Sequence, residues 1–126
     1  NAGLTAHVTS REELNNDKKI GLETIFCHET DKLGIDGIVK KIKERVGDNK
    51  VYLSLDIDVI DPAFAPGTGT PECGGYSSSQ MLSILRNLKS LNIIGGDVVE
   101  VAPPYDNSEI TAQLAATICY EMMCLV

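Results

Sequence analysis

Apolar residues along the chain follow two patterns, helical spacing and short continuous runs. The runs predict three strands, at residues 23–27, at 51–57 and around the Gly-Gly step between Ile93-Ile94 and Val98-Val99. The run at 51–57 is apolar enough to be covered on both faces. A helix is predicted after each strand, so three strand–helix units follow one another. This order predicts an α/β fold with a parallel sheet and helices on its faces. The helical positions are Ile35, Ile38, Val39, Ile42 and Val46; Met81, Leu82, Leu85 and Leu88; and, on the last helix, Ile110, Leu114, Ile118 and Met122, which we expect to be buried.

Polar residues and glycines predict where the helices begin and end. Thr9 or Ser10, each followed three residues later by a glutamate, can open a short helix that ends before Gly21. Gly47 is expected to stop the next helix. One of the serines 77–79 should cap the third helix, and the last helix should run from about residue 107 to 123.

Length and composition limit the classes of protein. The 126 residues suffice for one folding unit, and 43% hydrophobic with 23% charged residues is typical of a soluble globular domain. No apolar run approaches the roughly 18 residues of a membrane span. A net charge of -7 argues against a nucleic-acid partner. We therefore expect neither nucleic acid nor membrane as a partner.

The cysteines and histidines show no spacing typical of a zinc site or a disulfide framework. Cys27, Cys73, Cys119 and Cys124 are expected to be buried or half-buried free thiols, and His7 and His28 ordinary loop or strand-end residues. The absence of an N-glycosylation sequon fits a reducing compartment, with cytoplasm or mitochondrion favoured.

Acidic residues stand at two strand ends. Asp56 and Asp58 end the second strand, and strand alternation would send both side chains to one side, where a cation could offset their repulsion. The alternative is a solvated strand end. Asp61 before Pro62 is typical of a turn. Glu100 ends the third strand and opens onto the same sheet edge, either as a surface carboxylate or as a partner for a planar cation.

Two longer stretches resemble one enzyme family, the ureohydrolases, which include arginases, agmatinases, guanidinobutyrases and formiminoglutamases. Residues 54–62, SLDIDVIDP, continue through 65–71, APGTGTP, to Gly74-Gly75 and are similar to a family signature. Residues 96–106, GDVVEVAPPYD, are also similar to the family, and their Pro-Pro-Tyr-Asp resembles agmatinases more than arginases.

The resemblance implies a three-layer α/β/α fold with a parallel sheet, of which residues 1–126 would form the C-terminal portion. It implies hydrolysis of a small guanidinium or amidine substrate, agmatine foremost, in a protein that we expect to be a homo-oligomer. Asp56 would bridge two Mn²⁺ ions, Asp58 would ligate one of them, and Glu100 would bind the guanidinium group. A hydroxide bridging the metals would attack the guanidinium carbon.

The chain departs from the family pattern in two respects. The motifs that supply two His and two Asp ligands in the family precede this region and are absent, so the chain is expected to be incompetent alone. Cys73 stands where agmatinases often have Pro. Guanidinobutyrase, arginase or formiminoglutamase activity and a non-catalytic regulatory or structural subunit stay open as alternatives. A receiver-like phosphoacceptor domain is disfavoured because this chain lacks the acidic pair that such domains carry on an early strand.

Overall fold

The structure, a computed structural model, describes residues 1–4 and 11–126. Strands and helices alternate over most of this range, and short 3₁₀ turns follow three of the four strands, with intervening residues in the case of β4. The elements are β1 (Ala2–Leu4), α1 (Arg11–Lys19), β2 (Ile25–Phe26), α2 (Thr30–Val46), β3 (Lys50–Asp56), α3 (Ser78–Asn87), β4 (Asn92–Val99) and α4 (Ile110–Met123).

The strands form two parallel pairs in the described residues, β1 with β2 and β3 with β4. The β3–β4 pair runs from Lys50 opposite Asn92 to Asp56 opposite Val99. Helix α3 lies between these two strands in sequence, as a parallel connection requires. The predicted α/β class with parallel strands is therefore confirmed.

Close contact between β4 and its neighbours depends on a glycine. A Cβ atom at Gly96 would lie 2.4 Å from the carbonyl oxygen of Leu53 on β3 and 2.4 Å from Cε of Met122 on α4. The Leu53 oxygen belongs to the backbone and cannot move aside easily, whereas the end of the Met122 side chain can, so a larger residue would chiefly separate β4 from β3. Gly96 thus allows the two strands to pair closely.

The hydrophobic core lies between β3 and the helices. It includes Ile38 of α2, Leu55 of β3, Leu85 of α3 and Ile118 of α4, all buried. Ser77 caps α3 in a capping box, because its Oγ accepts from the Gln80 N–H at 3.2 Å while the Gln80 side chain accepts from the Ser77 N–H at 2.8 Å. The predicted serine cap is confirmed.

Other helix boundaries agree with the sequence pattern or lie outside the described residues. Gly47 ends α2 with a positive φ of 58°, and α1 ends before Gly21 as predicted. The predicted caps of α1, Thr9 and Ser10, lie outside the described residues, as does His7.

Three predictions about burial are wrong. Only one face of β3 is covered in the described residues: Lys50, Tyr52 and Ser54 are exposed because no layer packs over their side. Ile110 is 44% exposed because Thr111, Ala115, Ile118 and Met122 form the buried face of α4. All four cysteines are free thiols, yet only Cys27 is buried; Cys73, Cys119 and Cys124 are exposed.

Among the helices of the described residues, none combines the length and apolar character that crossing a bilayer would demand.

Candidate metal and substrate site

The predicted site residues lie at the carboxyl ends of β3 and β4. Asp56 is the last residue of β3 and pairs with Val99, the last residue of β4. Glu100 directly follows Val99, and Asp58 lies two residues beyond Asp56. The parallel register therefore brings all three carboxylates to one edge of the sheet, where ligands bind in open α/β folds.

Asp56 and Asp58 lie side by side, although not through strand alternation. Strand β3 ends at Asp56, and residues 57–59 form a 3₁₀ turn. The Asp58 N–H donates to Oδ1 of Asp56 at 3.1 Å. Ile57 between them is fully buried and anchors the turn in the core. The turn, rather than an extended backbone, thus sets the spacing of the two carboxylates.

The electrostatic environment of Asp56 disfavours its charged form. Burial raises the pKa of Asp56, the hydrogen bond from the Asp58 N–H lowers it, and the charges of Asp58 and Glu100 raise it again; the net pKa is raised. Burial is the main cause of the shift, and repulsion from the neighbouring carboxylates adds to it. Asp56 and Asp58 therefore form a pair of oxygen donors of the kind that suits a divalent cation, and the charge of Glu100 acts on Asp56 from nearby.

Hydrogen bonds order the long loop between Asp58 and Gly75. Asp61 accepts from the Ala63 N–H and from the Gly74 N–H, both at 2.9 Å, and these bonds lower its pKa. The Tyr76 N–H donates to the Val59 carbonyl, and the Asp61 N–H donates to the Tyr76 carbonyl, both at 2.9 Å. The predicted turn role of Asp61 is confirmed.

Thr70 contacts the site directly and was not predicted. Its hydroxyl donates to Oδ2 of Asp58 at 2.7 Å. Thr70 belongs to the APGTGTP stretch, but a separation of 12 residues gives no periodic signal of contact. The only available indication of Thr70 is that it carries a hydroxyl group and lies in a loop that could fold back toward the end of β3.

Glu100 has a left-handed backbone conformation, with φ of 63°. This conformation costs a non-glycine residue roughly 1–3 kcal/mol and persists only where neighbouring contacts enforce it. The contacts come from the loop: Val101 forms an antiparallel bridge with Thr68, and the Ala102 N–H donates to the Gly67 carbonyl at 2.8 Å. Strain of this kind is concentrated at functional sites, which supports attention to Glu100.

A second network joins the loop to the beginning of α4. Asp106 accepts from the N–H groups of Asn107, Thr111 and Ala112 at 2.9, 3.0 and 2.9 Å. Burial raises the pKa of Asp106, but these bonds outweigh that effect and the net pKa is lowered. Asp106 lies four residues before Ile110, the first residue of α4, so the usual sequence pattern of a helix N-cap does not point to it.

The histidine and the remaining acids add no further ligand in the described residues. His28 is exposed in the 3₁₀ turn after β2 and stacks on Phe26, with ring centroids 5.5 Å apart. Within residues 1–4 and 11–126, no three His, Cys, Asp or Glu side chains are grouped so as to hold a metal. The metal and substrate roles of Asp56, Asp58 and Glu100 stay predictions at this point.

With this geometry, the chain belongs to the arginase family, whose family model matches residues 2–125. Among its relatives, a protein named putative agmatinase 3 from Schizosaccharomyces pombe (strain 972) is 52% identical over 125 residues, which is 99% of this chain and 31% of that protein. The chain spans about a third of the length of the curated relatives it matches.

Solved structures show the same fold. A hypothetical agmatinase from Burkholderia thailandensis superposes with a TM-score of 0.86 at 43% identity, covering 98% of this chain and 37% of the other. Proclavaminate amidino hydrolase from Streptomyces clavuligerus gives a TM-score of 0.90 at 41% identity, covering 98% and 40%. The predicted arginase-like α/β/α fold, present in part, and the predicted family are confirmed.

Proposed function

We propose that the complete protein hydrolyses a linear guanidinium compound, agmatine foremost, to putrescine and urea with the aid of two Mn²⁺ ions. The observation that carries the proposal is the convergence of Asp56, Asp58 and Glu100 at the ends of two paired parallel strands. Agmatine is favoured because the segment after Glu100 resembles agmatinases and because relatives over nearly the whole chain carry that name.

The donor set of the site fits manganese. Asp56 and Asp58 offer carboxylate oxygens, which suit a hard or borderline divalent cation. A cation would also relieve the repulsion that contributes to the raised pKa of Asp56. Asp56 would serve both ions and Asp58 one of them, and the other ligands would come from outside residues 1–126. When bound, manganese supplies an activated water at neutral pH.

The protein's own side chains position the reacting groups. Thr70 donates to Oδ2 of Asp58 and so helps to fix the orientation of that carboxylate. Glu100 is exposed, and its planar carboxylate can accept paired N–H bonds from a guanidinium group. The substrate's guanidinium carbon would thereby be held beside the aspartate pair.

The test is a substrate panel with the complete protein loaded with Mn²⁺. Urea release from agmatine, L-arginine and 4-guanidinobutyrate and formamide release from N-formimino-L-glutamate would be measured in parallel. We expect agmatine to give the highest kcat/KM. Urea release only from another guanidinium compound would correct the substrate, and no product from any of the four would favour a non-catalytic subunit.

A variant pair tests the site itself. Asp58→Ala should remove one Mn²⁺ and reduce turnover by about a thousandfold or more, because catalysis of this type depends on both ions. Asp97→Ala is the matched control, since Asp97 lies on β4 and its carboxylate accepts from the Tyr52 hydroxyl on the exposed face. An Asp58→Ala protein with two tightly bound Mn²⁺ and normal kcat would refute the assignment.

A further inference from the structure

One short loop segment, residues 66–70, contacts both arms of the site. At its far end Thr70 donates to Asp58 at 2.7 Å. Nearer its start, the Gly67 carbonyl accepts from the Ala102 N–H at 2.8 Å, and Thr68 bridges to Val101 next to Glu100. A shift of this segment would therefore move the aspartate arm and the Glu100 arm relative to each other.

Thr111 of α4 holds this segment in place through a hydrogen bond to Gly67. Its hydroxyl oxygen accepts from the Gly67 N–H at 2.8 Å, and the residue is fully buried. Its own N–H donates to Oδ1 of Asp106 at 3.0 Å, so the helix beginning holds Thr111 in place. A Cβ atom at Gly67 would lie 2.7 Å from Asp106 Cβ and 2.9 Å from the Thr111 hydroxyl oxygen. The segment is thus held by a hydrogen bond and by tight packing together.

We propose that Thr111 is a positioning residue that sets the distance between the aspartate pair and Glu100. In the described residues Thr111 forms no hydrogen bond with Asp56, Asp58 or Glu100, so its effect passes through Gly67 and the segment 66–70. The chemical role rests on the proposed function, whereas the mechanical coupling from Thr111 to Ala102 does not. A buried N–H without an acceptor is unfavourable, so loss of the hydroxyl should displace Gly67 toward another partner.

The experiment compares two variants of Thr111 in the complete protein. Thr111→Val keeps the branched shape but removes the acceptor, and Thr111→Ser keeps the acceptor. Thr117→Val is the matched control, because Thr117 lies on the same helix, is exposed, and donates to the Gln113 carbonyl at 2.9 Å. Amide hydrogen exchange at Gly67 and Ala102 is followed by NMR, and kcat and KM are measured on the substrate that the panel identifies.

Thr111→Val should speed exchange at both amides by about tenfold and lower kcat by about tenfold, with manganese binding retained. Thr111→Ser should restore both within about twofold, and the control should match the wild type. Exchange needs no substrate, so an inactive wild-type protein would contradict the proposed function while the coupling is still measured.

Faster exchange confined to Gly67, with Ala102 and kcat unchanged, would show that the hydroxyl stabilises its neighbour only and would overturn the proposal. So would failure of Thr111→Ser to restore kcat. If Thr111→Val does not fold, Thr111→Cys, a weaker acceptor of similar size, takes its place; exchange at Ala102 equal to that of the wild type would then overturn the proposal.

Discussion

Replacing Gly75 by alanine should destabilise the protein at the base of the site. A Cβ atom there would lie 2.5 Å from the Asp61 nitrogen, 2.7 Å from the Ile60 carbonyl carbon and 2.7 Å from the Val59 carbonyl oxygen. All three are backbone atoms of the segment that follows Asp58, so no flexible side chain can move away. Overpacking costs roughly 1–3 kcal/mol, and with rigid neighbours we expect the upper end of that range.

The assay is urea denaturation of the complete protein, read as a change in midpoint at constant m. Gly69→Ala is the matched control, because nothing lies within 4 Å of a Cβ there and φ is not positive; we expect a change within about 0.5 kcal/mol. Since the displaced segment adjoins Asp58, manganese affinity should also fall for Gly75→Ala. Equal midpoints for Gly75→Ala and Gly69→Ala would refute the steric argument.

Three further predictions concern substrate binding, acid stability and the chain by itself. Glu100→Gln should raise KM for agmatine roughly 10- to 100-fold through loss of a charge-assisted pair, with Mn²⁺ affinity unchanged; a fall in metal affinity at constant KM would contradict this. The pKa of Glu29 is lowered by the Phe26 N–H at 2.8 Å and by Lys41 at 3.1 Å. The charged Glu29 therefore stabilises the fold above the ordinary carboxyl pKa, and this stabilisation is lost as pH falls through the lowered pKa. Glu29→Gln should flatten that part of the plot of unfolding free energy against pH. An unchanged plot would contradict the prediction. The 126 residues alone should bind Mn²⁺ weakly, release no urea from agmatine and self-associate; two Mn²⁺ bound per chain at micromolar affinity, with measurable urea, would overturn this expectation.

Periodicity and turn residues predicted the four helices and three of the four strands of the described residues, because these depend on local spacing, but did not predict β1. The helical positions of α2 and α3, the serine cap and the terminal Gly47 all lie within one or two turns of the residues they affect. Burial was predicted less well. Residue spacing alone does not tell which of two adjacent positions faces the core. Ile110 was therefore expected to be buried, whereas Thr111, the next residue, is the one that faces the core.

The carboxylates of the candidate site were predictable because their strand ends are visible in sequence. Their supports were not, since Thr70 lies 12 residues from Asp58 and Thr111 lies 44 residues from Gly67. Such contacts depend on the path of a long loop, which no period describes. The left-handed backbone of Glu100 is likewise imposed by the bridge between Thr68 and Val101, and no nearby residue type in the sequence indicates it.

Charge balance indicates what else the proposed site requires. Two divalent cations and one guanidinium carry five positive charges, whereas Asp56, Asp58 and Glu100 carry three negative ones when ionised. Charges held close together in a partly buried site are unfavourable unless they are compensated. Within the described part of the chain no three or more His, Cys, Asp or Glu side chains are grouped so as to hold a metal, and residues 5–10 contain no carboxylate. Under the proposed function, the metal-bound hydroxide would supply one further negative charge, and ligands outside residues 1–126 would supply the remainder.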